Sequence, residues 1–307
     1  MATVLIPDIV APEAVEELSK RFKVATLFDG HDDYDPKDVV AWIYRFSNPH
    51  PDINELPNLK IVVSHGTGNN SVIPKEVARE RNICLANAPG KNSLSVAEQT
   101  IMFMLALSKS LLPITKRYAA QGSSCRFSVK YNEITGKTLG LVGMGNIGKI
   151  VANIATKGFG MKVIAYDPYV TSAVEGVELT DDRSRIFREA DYVSLHMPLT
   201  DATYHCVGEA DFSLMKPTAF IINCSRGGIV DQEAMIRALQ DGTIAGAGLD
   251  VTEPEDCPTD SPLFGMDNVV LTPHIAGNSR EALVRVGLSC AQTICDYLDG
   301  KEVPRIN

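Results

Sequence analysis

The chain has 307 residues, room for two domains with buried cores at roughly 100 to 200 residues per domain. Apolar residues make up 45% and charged residues 22%, which excludes a disordered or fibrous chain. Asp and Glu outnumber Lys and Arg by 38 to 29 with no dense basic run, so the sequence lacks the footprint of a nucleic-acid binder and points to a small-molecule role.

The N-terminus reads as a strand over 3–6, not as a signal peptide, because no basic stretch precedes it and Pro7 and Asp8 interrupt it. Short apolar runs recur at 41–44, 60–64 and 83–86 with amphipathic stretches at 12–21 and 74–81 between them, an α/β alternation that builds a mostly parallel sheet. A long helix is expected over 93–120, with Ser93 or Ser95 as its N-cap and Pro113 as the point of a break or kink. A second series follows, with strands at 138–142, 162–166, 192–195, 220–223, 244–249 and 269–271 and helices at 146–157 and 232–240, which completes a doubly wound sheet. A final helix over 280–298 has no docking site evident from the sequence.

The longest mid-chain apolar run, 101–107, is far below the roughly 18 to 20 residues of a membrane span, so none is expected. Seven scattered cysteines, never spaced C-x-x-C, fit neither a disulfide framework nor a zinc site; they point to a reducing cytoplasm, and no metal is expected.

Gly143-Met144-Gly145-Asn146-Ile147-Gly148 follows an apolar strand and opens a helix, and Asp167 ends the next strand. In that context the glycines form a dinucleotide fingerprint: Gly143 for the tight turn, Gly145 for close approach to a pyrophosphate, Gly148 for helix-strand packing. Asp167 is placed to bond the adenosine ribose and to repel a 2′-phosphate, favouring NAD over NADP, and its alternative is an ordinary turn aspartate before Pro168.

Three polar clusters then fall at strand ends, where open α/β sheets bind ligands. The first, Asn223-Cys224-Ser225-Arg226-Gly227-Gly228, holds a lone Arg whose donor fork matches a carboxylate, against the alternative of a structural ion pair. The second, 249–255, carries Asp250, Glu253 and Glu255, and the third, Thr272-Pro273-His274-Ile275-Ala276-Gly277, opens with a strand-end histidine. A carboxylate beside His274 would make it a general acid ready near neutral pH. His31, His50, His196 and His205 lack such context and read as structural, and Cys224 reads as a small buried neighbour of the site.

These motifs resemble the D-isomer-specific 2-hydroxyacid dehydrogenases in order and spacing over nearly all of the chain, most closely the phosphoglycerate dehydrogenase-like branch. The resemblance implies two doubly wound parallel-sheet domains with a cleft between them: a Rossmann NAD domain over 99–279 and a flavodoxin-like substrate domain formed by 1–98 with 280–307. It implies that Arg226 binds the substrate carboxylate and carbonyl, that His274 exchanges the proton, and that Glu255 pairs with His274. For the cofactor it implies contacts at the glycine motif, Asp167, Met197, Pro198, Cys224, Ser225, Arg226, Asp250, His274, Ala276 and Gly277, together with Thr67. For substrate it implies Arg45, His65, Gly66 and Thr67 besides Arg226 and His274. Arg45 reads equally well as a surface residue at a strand end.

The sequence departs from the family where Asn69-Asn70-Ser71-Val72-Ile73 lacks two usual acids and where Met197 replaces a frequent Thr or Cys. The expected activity is NAD-dependent interconversion of a small D-2-hydroxy acid and its 2-oxo acid, of phosphoglycerate dehydrogenase or hydroxypyruvate/glyoxylate reductase type, in a homodimer. The rival is a non-enzymatic NAD-sensing interaction protein on the same scaffold. A formate dehydrogenase reading is weaker, because that branch carries Gln where Glu255 stands.

Overall fold

The computed structural model describes residues 1–31, 33–45, 51–68, 72–128, 130–172 and 174–307. His50, Phe46, Ser47 and the Asn69-Asn70-Ser71 departure lie outside the described residues. The chain divides into a first unit, Met1–Asn92 with Gly277–Asn307, and a second, Ser93–Ala276. The helix that starts at Ser93 is held by the second unit from its first turn. Ser95 Oγ donates to the Ala276 carbonyl at 2.6 Å and Gln99 Nε2 to Thr272 Oγ1 at 3.2 Å.

In chain order the first unit contains β1 (Thr3–Ile6), α1 (Pro12–Ser19), β2 (Lys23–Thr26), β3 (Val39–Tyr44), β4 (Ile61–Ser64), α2 (Lys75–Glu80) and β5 (Cys84–Asn87). Its strands pair in parallel in the order β2-β1-β3-β4-β5. All four residues of β1 are buried, the mark of a strand covered on both faces.

The second unit begins with α3 (Ser93–Ser108) and α4 (Leu111–Gln121). There follow β6 (Thr138–Val142), α5 (Asn146–Phe159), β7 (Lys162–Tyr166), β8 (Val177–Leu179), α6 (Arg183–Glu189) and β9 (Tyr192–Leu195). It closes with α7 (Glu209–Leu214), β10 (Phe220–Asn223), α8 (Gln232–Gln240), β11 (Gly246–Leu249) and β12 (Val269–Leu271). The parallel sheet runs β12-β11-β10-β9-β6-β7-β8, so the strand order reverses between β6 and β9, the switch point at which such sheets bind ligands. Helix α3 buries eleven of its sixteen residues and keeps only a narrow stripe, Leu94, Glu98 and Met102, exposed.

The long helix expected over 93–120 is two helices. The break comes at Ser110, whose φ of +49° takes the chain into the left-handed region, and not at Pro113. Pro113 sits in the first turn of α4, where an amide N–H would lack an intrahelical partner anyway.

The last helix, α9 (Arg280–Leu298), returns to the first unit and buries Val286, Cys290, Ala291 and Ile294 among Val4, Ile6 and Leu18. Gly287 permits the approach, since a Cβ there would lie 2.8 Å from that of Ala14. The chain end then covers the β5 edge: Ile306 N donates to the Leu85 carbonyl at 2.9 Å and Leu85 N to Asn307 Oδ1 at 3.0 Å. No helix among the described residues is long and apolar enough to cross a membrane.

Beneath α6 the sheet leaves no room for a side chain at Gly140, where a Cβ would lie 2.6 Å from Ile186 Cγ2 and 2.9 Å from Ala190 Cβ. Gly140→Ala should therefore cost about 1–3 kcal/mol of stability by overpacking. Urea unfolding checks this, and an unchanged midpoint would mean that α6 shifts freely.

Candidate active site

The glycine loop leaves β6 with Gly143 at φ +106°, and its amide donates to the Tyr166 carbonyl at 2.8 Å. A Cβ on Gly143 would meet the His196 carbonyl carbon at 2.7 Å, and one on Gly148 would meet the Gly143 oxygen at 2.3 Å. Only glycine therefore lets α5 start this close to the sheet. A Cβ on Gly145 would meet nothing within 4 Å, and Asn146 beside it is exposed, so the first amides of α5 face open space. That is the arrangement a pyrophosphate needs. Asp167 ends β7 with Oδ2 accepting from Met144 N at 2.8 Å and Oδ1 from Tyr169 N at 2.9 Å. The carboxylate is locked to the glycine loop and keeps lone pairs for ribose hydroxyls. The residues present fit a dinucleotide.

Asn223, Leu249 and Leu271 stand in register across β10, β11 and β12, so the three polar clusters leave the sheet side by side. On β10, Asn223 Oδ1 accepts from Ser225 N at 3.0 Å and Oγ at 2.6 Å, and Asn223 Nδ2 donates to the Arg226 carbonyl at 2.9 Å. This closes the turn that presents the half-buried Arg226. The Cys224 thiol is buried, which pushes its pKa up and keeps it from being a nucleophile.

Asp250 is 1% exposed, and its carboxylate is turned into the next loop. Oδ1 accepts from the Thr272 hydroxyl at 2.5 Å and Ile275 N at 2.9 Å, and Oδ2 from Ala276 N at 2.8 Å. Between these anchors His274 sits at φ +50°, and its amide donates to the Asp250 carbonyl at 2.7 Å. The His274 Nδ1 pairs with Glu255 Oε1, and this bond first, then the nearby Arg226 charge, holds the Glu255 carboxyl below the usual carboxylate range. With Nδ1 so engaged, proton exchange with a substrate would run through Nε2.

His205 has a long-range partner. It pairs through Nε2 with Glu253, 48 residues away, a separation that no local pattern in the sequence signals. His196 is buried with Nε2 2.9 Å from Ser194 Oγ, and burial pushes its pKa down to about 4. Met197 and Pro198 follow it beside the glycine loop.

In the first unit, Arg45 is not a free surface residue. Its Nη1 donates to the Ile9 carbonyl at 3.2 Å and its Nη2 to Asn278 Oδ1 at 2.7 Å. His65 is buried after β4, and burial together with the Arg45 charge pushes its pKa down to about 4. Gly66 and Thr67 follow, braced by Asn87 Nδ2, which donates to the Thr67 carbonyl at 3.3 Å.

The family "D-isomer specific 2-hydroxyacid dehydrogenase, NAD binding domain" matches residues 101–276. A D-3-phosphoglycerate dehydrogenase of Methanocaldococcus jannaschii is 41% identical over 81% of this chain and 47% of its own length. A glyoxylate reductase of Korarchaeum cryptofilum is 38% identical over 81% of this chain and 76% of its own. The chain thus spans about half the length of that phosphoglycerate dehydrogenase. A D-lactate dehydrogenase of Aquifex aeolicus, solved with NAD and lactic acid, superimposes with a TM-score of 0.81 at 28% identity, covering 97% of this chain and 96% of that one.

Asp250→Ala should strand two backbone amides and the Thr272 hydroxyl, at a cost of about 1–3 kcal/mol. Amide exchange at Ile275 and Ala276 should accelerate well beyond the rest of the sheet edge; unchanged protection there would show that the loop holds itself.

Proposed function

The chain belongs to the D-isomer specific 2-hydroxyacid dehydrogenase family, and from that premise we propose that it interconverts a small D-2-hydroxy acid and its 2-oxo acid with NAD. The observation that carries the proposal is the His274–Glu255 pair held beside the Arg226 turn on one strand-end edge. A sensing protein has no need of a proton donor in register with a carboxylate anchor, so this pair favours the enzyme over the interaction protein.

When bound, NADH would supply the hydride for the carbonyl carbon in reduction. Arg226 binds the substrate carboxylate through its donor fork and polarises the carbonyl. His274, protonated, gives the proton on Nε2 to the oxygen as negative charge develops there, and Glu255 steadies the imidazolium. Oxidation runs the same path backwards, with neutral His274 taking the hydroxyl proton.

Among the relatives, phosphoglycerate dehydrogenase and glyoxylate reductase bracket the candidate substrates, with hydroxypyruvate between them in size. We assign a cytoplasmic setting, supported by seven free cysteines. A homodimer is supported by α4, which buries no residue and exposes Leu111, Leu112 and Tyr118, with Phe127 and Tyr131 exposed after it.

Arg226→Lys should lower kcat/KM for the 2-oxo acid by about ten- to a hundred-fold, because a point charge replaces a bidentate fork. A value near that of the parent would make Arg226 structural. Glu255→Gln tests the acid-base pair. In the parent, Glu255 titrates below the usual carboxylate range, so its carboxylate is ionised above that range and its charge is lost only as pH falls through the depressed value. The ionised carboxylate favours imidazolium, so in the variant reduction should begin to fail at lower pH and oxidation should become accessible at lower pH. Profiles of kcat/KM in both directions from about pH 5 to 10 bracket histidine titration. Inflections that stay in place while activity drops would separate Glu255 from proton transfer.

A further inference from the structure

We propose that His205 and Glu253 form a second histidine–carboxylate pair that works as a positioning clamp, fixing the turn that carries Arg226 against the loop that carries Glu255. The proposal rests on the dehydrogenase reading for its catalytic consequence, but the clamp itself stands on contacts that need no ligand.

His205 belongs by its backbone to the Arg226 side. Its amide donates to the Gly228 carbonyl at 2.8 Å, Val207 N donates to the Ile229 carbonyl at 3.1 Å, and Val207 pairs with Val230 as a short parallel bridge. By its side chain it belongs to the other loop, because Nε2 bonds to Glu253 Oε2. One residue therefore ties two loops that are far apart in sequence.

Gln232, the first residue of α8, repeats the tie from the same side: Nε2 donates to the Glu253 carbonyl at 2.7 Å and Oε1 accepts from Glu253 N at 3.0 Å. Tyr204 stacks on the His205 ring with centroids 4.0 Å apart and an interplanar angle of 14°, and Glu253, first as an acceptor for the phenol and then by its charge, holds the Tyr204 pKa above its ordinary range. Where the loops touch, the backbone leaves no slack. A Cβ on Gly227 would lie 1.8 Å from the Thr252 carbonyl oxygen, and one on Gly228 would lie 3.3 Å from Glu253 Oε1.

Glu253 is joined to Glu255 through Pro254 alone, and the link is braced by the Thr252 hydroxyl, which lies 2.8 Å from the Pro254 carbonyl and 3.2 Å from that of Glu255. His205 is held at φ +48°, a conformation that persists only where the surroundings over-determine it. The two side chains are 37% and 31% exposed, and ion pairs that wet add little to stability, so geometry is what this pair supplies. Catalysis needs that geometry, because small displacements of anchoring groups carry large penalties in rate.

The test compares His205→Leu, His205→Gln, Glu253→Ala and the His205→Leu/Glu253→Ala double variant in the full chain. His205→Leu should lower kcat/KM for hydroxypyruvate by about ten-fold or more, with a raised KM for the oxo acid, while the Kd for NADH from fluorescence titration stays within about two-fold. His205→Gln, which can still donate to Glu253, should recover most of the loss, and the double variant should be no worse than the poorer single one. Amide exchange over 226–230 and 252–256 should speed up in His205→Leu and not in His205→Gln. If Leu at 205 prevents folding, Glu253→Ala carries the same expectations.

Equal loss in the Gln and Leu variants, a parallel loss of NADH binding, multiplying losses in the double variant, or unchanged exchange would each overturn the clamp. If the parent reduces no 2-oxo acid, the dehydrogenase reading fails, and the exchange comparison still decides whether the clamp exists.

Discussion

Asp250 buries a carboxylate at the carboxyl end of β11, where leaving water costs several kcal/mol unless its oxygens are satisfied. Its acceptor sites are filled by the Thr272 hydroxyl and the amides of Ile275 and Ala276, donors from one short loop, and that loop is thereby wrapped around a fixed point. His274, at φ +50°, lies inside the wrap. A left-handed non-glycine residue costs on the order of 1–3 kcal/mol and needs surroundings that allow no alternative. The direction of the His274 ring thus depends on a buried carboxylate that is spent on the backbone of the next loop. Asp250 is in this sense a positioning residue.

The rest of the site follows from sheet topology. Parallel pairing in register brings Asn223, Leu249 and Leu271 level, and each strand releases its polar turn at the same edge. The reversal between β6 and β9 sets the glycine loop on that edge too, and close packing of Gly148 on Gly143 forces α5 to aim its N-terminus there. The glycine loop, the Arg226 turn and the His274 loop thereby share one rim, although they are dispersed over more than a hundred residues of chain. Two histidine–glutamate pairs close the arrangement from opposite ends of a single short loop, one at Glu253 and one at Glu255.

Much of this was legible in the sequence wherever a local pattern has a local cause. Continuous apolar runs marked β6, β7, β9 and β10 to the residue, and the glycine fingerprint with Asp167 marked the cofactor edge. What the sequence concealed was of two kinds. Short edge or surface elements carry too little apolar signal: β8 is a three-residue edge strand, and α6 is charged at four of seven positions and buries only Ile186 and Phe187. Long-range pairings carry none: nothing near His205 announces Glu253, and nothing near Asp250 shows that its partners are at 272–276. The break between α3 and α4 was placed by a proline rule when a left-handed serine makes it, because proline in a first turn breaks nothing.

The measurement that bears most directly on this account is the fate of the hydride. Purified protein is incubated with NADH carrying deuterium at nicotinamide C4, separately on each face, and with hydroxypyruvate, glyoxylate and the 2-oxo form of 3-phosphoglycerate. The account predicts that one face transfers deuterium to C2 of at least one of these acids, and that a chiral product is the D isomer. Absence of transfer to any of them, from protein shown to bind NADH, or formation of an L product, would contradict it.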